Sequence, residues 1–182
     1  WAQSLEGMKS PRENVRRVAT EEALKELADT NPVAAAARLV GLEDVSPEVY
    51  SAVTSAWLLR DQVATKNWIL GLPKQAMDWA ASTYVSSGSR ISLADSMDLV
   101  TKLPAGVRMD WGLENLAERA AQQDPATALT WARALPPARR KTAMQEIINV
   151  LADQNPGAAL QALANLSDAE AQATVKEAGL IL

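Results

Sequence analysis

Residues Asp124-Pro125-Ala126-Thr127-Ala128-Leu129-Thr130-Trp131-Ala132-Arg133-Ala134-Leu135-Pro136 decide how this chain is read. An Asp before Pro is a strong helix start: the carboxylate accepts from the first free amides, and proline at the first helical position gives up an N–H that has no partner there anyway. Ala128, Ala132 and Leu135, at offsets 4, 8 and 11 from Asp124, make one apolar stripe at helical spacing. Pro136 and Pro137 then stop the helix, because the residue before a proline is pushed out of the α region.

The same frame recurs along the chain. Residues 27–42 read LADTNPVAAAARLVGL and residues 151–166 read LADQNPGAALQALANL. Taking Asn31, Asp124 and Asn155, each before a Pro, as caps sets a register that Asp61 and Ser92 continue, with spacings of 30, 31, 32 and 31. The small residues Ala35, Thr65, Ser96, Ala128 and Ala159 lie four after the caps. Leu39, Ile69, Val100, Ala132 and Leu163 lie eight after, and Leu42, Leu72, Leu103, Leu135 and Leu166 eleven after. A fixed period of this length signals a repeat architecture.

Second helices fill the intervals, roughly over 11–29, 47–60, 74–87, 105–122, 137–153 and 168–178. Ser46-Pro47-Glu48 and Ser167-Asp168-Ala169-Glu170 mark their starts, the latter with the spacing of a capping box. Ala143, Ile147, Val150 and Leu151 form the stripe of the helix that opens at Pro137. Residues 82–90, STYVSSGSR, break the pattern and read as a loop, either a frayed helix end or a mobile contact segment.

Pairs of helices this short cannot bury their apolar faces alone, so neighbouring pairs must stack. The expectation is an all-α fold, an α-solenoid (a right-handed superhelix or arc) of about five to six antiparallel helix pairs with a repeat of about 31 residues. One repeat domain spans 1–182, with units starting near 31, 61, 92, 124 and 155 and a partial unit over 1–30. Composition agrees: Phe is absent and aromatics are 4% of a chain that is 48% hydrophobic, which suits closely packed helices better than sheets.

Composition also narrows the chemistry. His and Cys are both zero, which removes the commonest general base, Ser-His and Cys-His nucleophile pairs, disulfides and thiolate metal sites. A net charge of −4, with 18 basic residues scattered among 22 acidic ones, gives no basic tract for nucleic acid. No apolar run approaches a membrane span of about 20 residues. Phosphate-loop, dinucleotide-binding, acylation and calcium-loop motifs are not found. The reading therefore includes no catalytic residue, cofactor or metal, and leaves the compartment open.

Three groups of residues invite a functional reading. Trp1, Trp68 and Trp131 share one slot seven after the cap, and are either a stacking ladder for sugars or Pro-rich peptides or covers for the seam between hairpins. Asp110, Glu114 and Glu118 form an i, i+4, i+8 row, and Asp95 is near Asp98. Glycosidase chemistry needs two carboxyls facing across a cleft at about 5 to 9.5 Å, whereas a row on one face is ordinarily a solvated surface. Arg133, Arg139, Arg140 and Lys141 flank the Leu135-Pro136-Pro137 turn as a hydrated corner or as a partner-binding patch. With Trp68 and Trp131, these four are the candidate partner-binding residues.

The unit D/N-P-x-x-A-x-x-W-A-x-x-L-P resembles that of bacterial helical-hairpin repeat proteins, and more distantly the tetratricopeptide and HEAT-type solenoids. The resemblance implies protein or peptide binding and carries no catalytic residue to transfer. A non-catalytic scaffold that binds a protein or peptide on the concave surface of its hairpins is the leading expectation. The alternatives are a structural spacer or assembly module, and an accessory enzyme without His acting on cell-wall carbohydrate. Trp1-Ala2-Gln3-Ser4-Leu5 matches the second half of a first helix, and the apolar Gly179-Leu180-Ile181-Leu182 end lacks a polar cap. End-to-end self-association through the terminal repeats is therefore a further expectation.

Overall fold

The structure, a computed structural model, describes residues 10–164, apart from the side chains of Pro11, Ser89, Asp110 and Trp111. The fold is all-α. Its helices are α1 (Pro11–Thr30), α2 (Pro32–Leu39), α3 (Pro47–Leu58), α4 (Gln62–Leu70), α5 (Lys74–Ser86), α6 (Leu93–Lys102), α7 (Asp110–Gln123), α8 (Pro125–Ala134), α9 (Pro137–Gln154) and α10 (Pro156–Ala164), with a 3-10 turn at Gly88–Arg90.

Each of the five expected caps makes its bond. Asn31, Asp61 and Asn155 accept the N–H groups of Ala34, Ala64 and Ala158 at 3.0, 2.9 and 3.2 Å. Ser92 Oγ accepts from Asp95 N–H at 3.0 Å, and Asp124 Oδ1 from Ala126 and Thr127 at 3.1 and 3.2 Å. Asn31, Asp124 and Asn155 do more, since each ends one helix and begins the next. Their φ values lie between −147° and −154° and their ψ values between 81° and 96°. Each N–H donates to the previous helix, on Leu27, Ala120 and Leu151, and each C=O accepts from the next, on Ala35, Ala128 and Ala159. One residue thus satisfies free groups of two helix ends, which lets the chain turn a corner without a loop.

The small residues four after each cap are all buried: Ala35, Thr65, Ser96 and Ala128 are fully enclosed and Ala159 nearly so. Where that residue is polar, its hydroxyl donates back to the cap carbonyl, Thr65 to Asp61 at 2.7 Å and Ser96 to Ser92 at 3.2 Å, so neither hydroxyl is buried unsatisfied. Leu39, Ile69, Val100, Ala132 and Leu163, eight after the caps, are buried as well. The leucines at offset 11 behave differently, because the first helices end before them. Leu103 and Leu135 are buried C-caps, Leu72 is half-buried, and Leu42, beyond Gly41 with its φ of 86°, is 40% exposed. Leu166 lies outside the described residues.

The chain divides into two compact units, Trp1–Thr65 and Lys66–Leu182, with the boundary inside α4. In the first, α1, α2 and α3 pack on one another around Leu24, Ala28, Leu39, Val49, Tyr50 and Val53. In the second, α7 packs against α5, α6, α8 and α9, and α9 against α8 and α10, around Tyr84, Leu99, Leu113, Leu116, Ile147 and Ile148. At Gly112 α7 passes close to α5: a Cβ there would lie 2.9 Å from Val85 Cγ2 and 3.0 Å from Ser82 Cα.

Two expectations are corrected. The helix expected from residue 105 begins at Asp110, because Gly106 (φ 98°) and Met109 (φ 54°) both take the left-handed conformation and interrupt it. The loop expected over 82–90 is shorter, since α5 continues to Ser86. There Thr83 and Ser87 hydroxyls donate to carbonyls four residues back, on Trp79 and Thr83, and only the 3-10 turn at Gly88–Arg90 departs from the helix. The segments over 1–5 and 168–178 lie outside the described residues.

Candidate functional site

Arg139, expected on a surface patch, is buried with 2% exposure. It follows Pro137 by two residues and shares the face of Ala143 and Ile147, each four residues further on, so it points inward with them. Its guanidinium donates to three carbonyls of the α6–α7 connection: Nη1 to Pro104 at 3.1 Å and Val107 at 2.9 Å, and Nη2 to Leu103 at 2.6 Å. Burial draws its pKa below the usual arginine value, but the group remains a cation. The connection is fixed at its far end too, where Met109 N–H donates to Asp78 Oδ1 at 2.7 Å.

The other members of the basic set separate. Arg140 is half-buried, with Nε donating to Leu135 O at 3.2 Å. Arg133, on α8, and Lys141, on α9, are exposed. Removing Arg139 leaves no four-charge patch at the turn.

Trp131 is 8% exposed, and its Nε1 donates to Met97 O at 3.3 Å and Thr101 Oγ1 at 3.2 Å, both on α6. An indole placed this way covers the seam between α6 and α8 and uses its one donor there. Trp68, on α4, is half-buried, and Trp1 lies outside the described residues. Among the three tryptophans, then, no exposed stacking ladder is described.

The carboxylates fall into two groups. Asp95 and Asp98 on α6 are held by Lys66 of α4, at 3.4 and 2.9 Å, and Asp98 also by Lys102 at 2.9 Å. Hydrogen bonding lowers both pKa values, chiefly through Ser92 for Asp95 and through Lys66 for Asp98. Glu114 and Glu118 on α7 face Glu146 on α9, whose pKa is raised by burial and then by those two like charges, against a long 3.5 Å bond from Asn149. No group of three or more metal-ligating side chains able to hold an ion occurs among the described residues, and no helix among them is long and apolar enough to cross a membrane.

Between the α6–α7 connection and α9 lies a cleft of about 500 Å³ lined by Gly106, Arg108, Glu114, Lys141, Gln145 and Glu146, with Arg139 in its wall. The inward turn of Arg139 is the feature that sequence reasoning missed here. The signal was available, because Arg139 extends the Ala143, Ile147, Leu151 stripe by one step of four. A second groove, of about 320 Å³, runs along α1 beside Leu42 and Val45. There Glu21, 8% exposed, accepts from Arg17 at 2.9 Å and from Ser46 N–H at 3.2 Å. Burial acts to raise the Glu21 pKa, but the bonds from Arg17 and Ser46 outweigh it and the net shift is downward. No protein-family model, no curated protein and no solved structure matches this chain.

Proposed function

We propose that this chain is a non-catalytic binding scaffold for a protein or peptide, built from helical hairpins that repeat about every 31 residues and stack in α-solenoid fashion. One observation supports the reading: within each of the two compact units, side chains join helices at close to the repeat distance along the chain. Arg60 donates to Asp29 and Thr30, Lys66 binds Asp95 and Asp98, Arg119 donates to Val85 and Gly88, Trp131 to Met97 and Thr101, and Arg139 to Leu103, Pro104 and Val107. The residues joined are 29 to 36 apart in the chain. Nearest-neighbour bonding of this kind is what a quasi-one-dimensional array needs, and such arrays present rows of adjacent side chains to a partner.

In the second unit the presented row includes Ala94, Thr101, Ala126, Thr130, Arg133, Gln161 and Ala164, all exposed on α6, α8 and α10. Five of the seven side chains are Ala or Thr, short enough for a peptide or helix to lie across them. The resemblance of the repeat unit to bacterial helical-hairpin proteins supports the same reading.

The test is to immobilise the chain, pass bacterial lysate and envelope extract over it, and identify retained proteins, with Arg133→Glu/Lys141→Glu alongside. A saturable protein partner supports the scaffold, and no retention from any fraction favours a spacer between flanking domains. Small-angle scattering tests the stacking, since a compact globule of this length has a radius of gyration of about 16 Å and a stacked array exceeds it.

A further inference from the structure

We infer that the groove between α1 and α2 is a docking surface for one amphipathic helix of a partner protein, a helix with an Ala/Leu stripe and a carboxylate on the adjoining face. The inference rests on the repeat reading above and names a surface and the kind of partner that fits it.

The two later counterparts of α1 have a cover that α1 lacks. Counted back from the cap that follows, Ala19, Thr20 and Ala23 stand 12, 11 and 8 before Asn31. The same positions are Gly112, Leu113 and Leu116 on α7, and Ala143, Met144 and Ile147 on α9. Those six are buried, whereas Ala19, Thr20 and Ala23 are exposed. Packing explains the difference: α7 lies against α5 and α6, which precede it, and α9 against α7 and α8. Among the described residues α1 packs on α2 and α3, which follow it.

The open face forms one side of a groove of about 440 Å³, with Leu24 and Leu42 adding apolar surface. The charges among its lining residues are Arg16 of α1 and Arg38 of α2. Both are exposed, and neither guanidinium has a partner among the described residues. The carboxylates Glu43 and Asp44 line the adjoining groove beside Val45 instead.

The second unit shows what these two slots reach. Trp131, seven after its cap as Arg38 is, donates to Met97 O and Thr101 Oγ1, five and nine after the cap of the preceding first helix, α6. Arg140, 15 before the next cap as Arg16 is, donates to Leu135 O at the end of the preceding first helix, α8. Both slots thus face the first helix ahead of them, one along its flank and one at its C-terminal end. A helix in that place on α1 sets its stripe against Ala19 and Ala23 and offers its last carbonyl to Arg16. Its residues five and nine after the cap come beside Arg38. A carboxylate at either of them gives Arg38 an ion pair where Trp131 makes only hydrogen bonds. Trp1–Leu5, the stretch that matches the second half of a first helix, has Gln3 in the nine-after slot and brings no carboxylate there.

The test is a ¹⁵N NMR titration of the whole chain with three blocked peptides. They have the sequence of residues 124–137, which carries the stripe of α8: unchanged, with Arg133→Gln and with Arg133→Glu, position 133 being nine after the cap. Shift changes should centre on 15–24 and 38–42. The Arg133→Glu peptide should bind about five-fold tighter than the Arg133→Gln one, what one exposed ion pair supplies, and the unchanged peptide more weakly still. In the Arg38→Glu chain the order should reverse, and in the Arg38→Gln chain the three affinities should converge; the second variant serves if the first alters the melt. Equal affinities in the unaltered chain, or shifts centred elsewhere, overturn the site. So does binding that requires Leu5→Asp in the chain, because the face is then filled by Trp1–Leu5. If the peptides fail while a protein is still retained from extract, this inference falls and the scaffold reading stands. Charge-ordered peptide binding with nothing retained does the reverse.

Discussion

Replacing Arg139 tests the structure at its most loaded point. Three carbonyls, of Leu103, Pro104 and Val107, take their bonds from one guanidinium, and both Leu103 and Val107 are buried. A hydrogen bond to a charged group contributes about 1.5 to 3 kcal/mol, but burying the cation costs several kcal/mol, so the three contributions do not simply add. Arg139→Ala removes the bonds, strands two carbonyls away from water and opens a cavity. The expected loss is about 3 kcal/mol, at the severe end of single substitutions, or a fall of about 6 to 12 °C in the melting temperature of a chain this size. Arg139→Met keeps the volume and removes only the bonds, and should lose about 2 kcal/mol. Far-ultraviolet circular dichroism against urea gives both values, and hydrogen exchange should show the Val107 and Met109 amides of the connection losing protection before those of α7. If Arg139→Met falls within about 0.5 kcal/mol of wild type, the guanidinium's desolvation cancels its bonds and the clamp argument fails.

Four other outcomes are expected. Asp124→Ala removes the acceptor for Ala126 N–H, Thr127 N–H and the Thr127 hydroxyl and should cost about 1 kcal/mol by urea unfolding, while Asp124→Asn stays close to wild type. Gly112→Ala gains about 1 kcal/mol of helix propensity but drives a Cβ to 3.0 Å from the backbone at Ser82; overpacking of about 1 to 3 kcal/mol should win, giving a net loss in a thermal melt. Glu21 has a folded pKa below 4.5, so its contribution is full above the unfolded value and fades as pH falls through the folded one. Glu21→Gln should therefore flatten the stability profile below about pH 4.5. Glu146 has the opposite shift, raised above 4.5, so its ionisation opposes folding as pH rises through that region. Glu146→Gln should be stabilising at pH 7 by about 0.5 kcal/mol in matched urea titrations.

The caps were legible because their chemistry is local. Asn, Asp or Ser ahead of a helical run satisfies amides two or three residues away, and nothing distant decides whether that bond forms. The residues four and eight after each cap were legible because one helical face repeats five times. Positions that answer to distant neighbours were not. Met109 sits at φ 54°, which no propensity of methionine suggests, because the Asp78 carboxylate 31 residues away holds its N–H. Gly112 gives no sign in sequence of a helix crossing at contact distance. Arg139 carried a mixed signal: its charge argued for the surface and its phase, four before Ala143, for the interior. The phase was the better guide, because three carbonyls 32 to 36 residues earlier await its fork.

The same bonds explain how the α6–α7 connection holds its conformation. A left-handed non-glycine residue costs about 1 to 2 kcal/mol, and the connection from Leu103 to Met109 would relax if nothing opposed it. Arg139 fixes three of its carbonyls and Asp78 fixes the amide of Met109 itself, so the strained conformation is over-determined from both sides. Arg108, next to the strained residue, is thereby carried on a segment whose backbone is fixed by neighbours on α5 and α9.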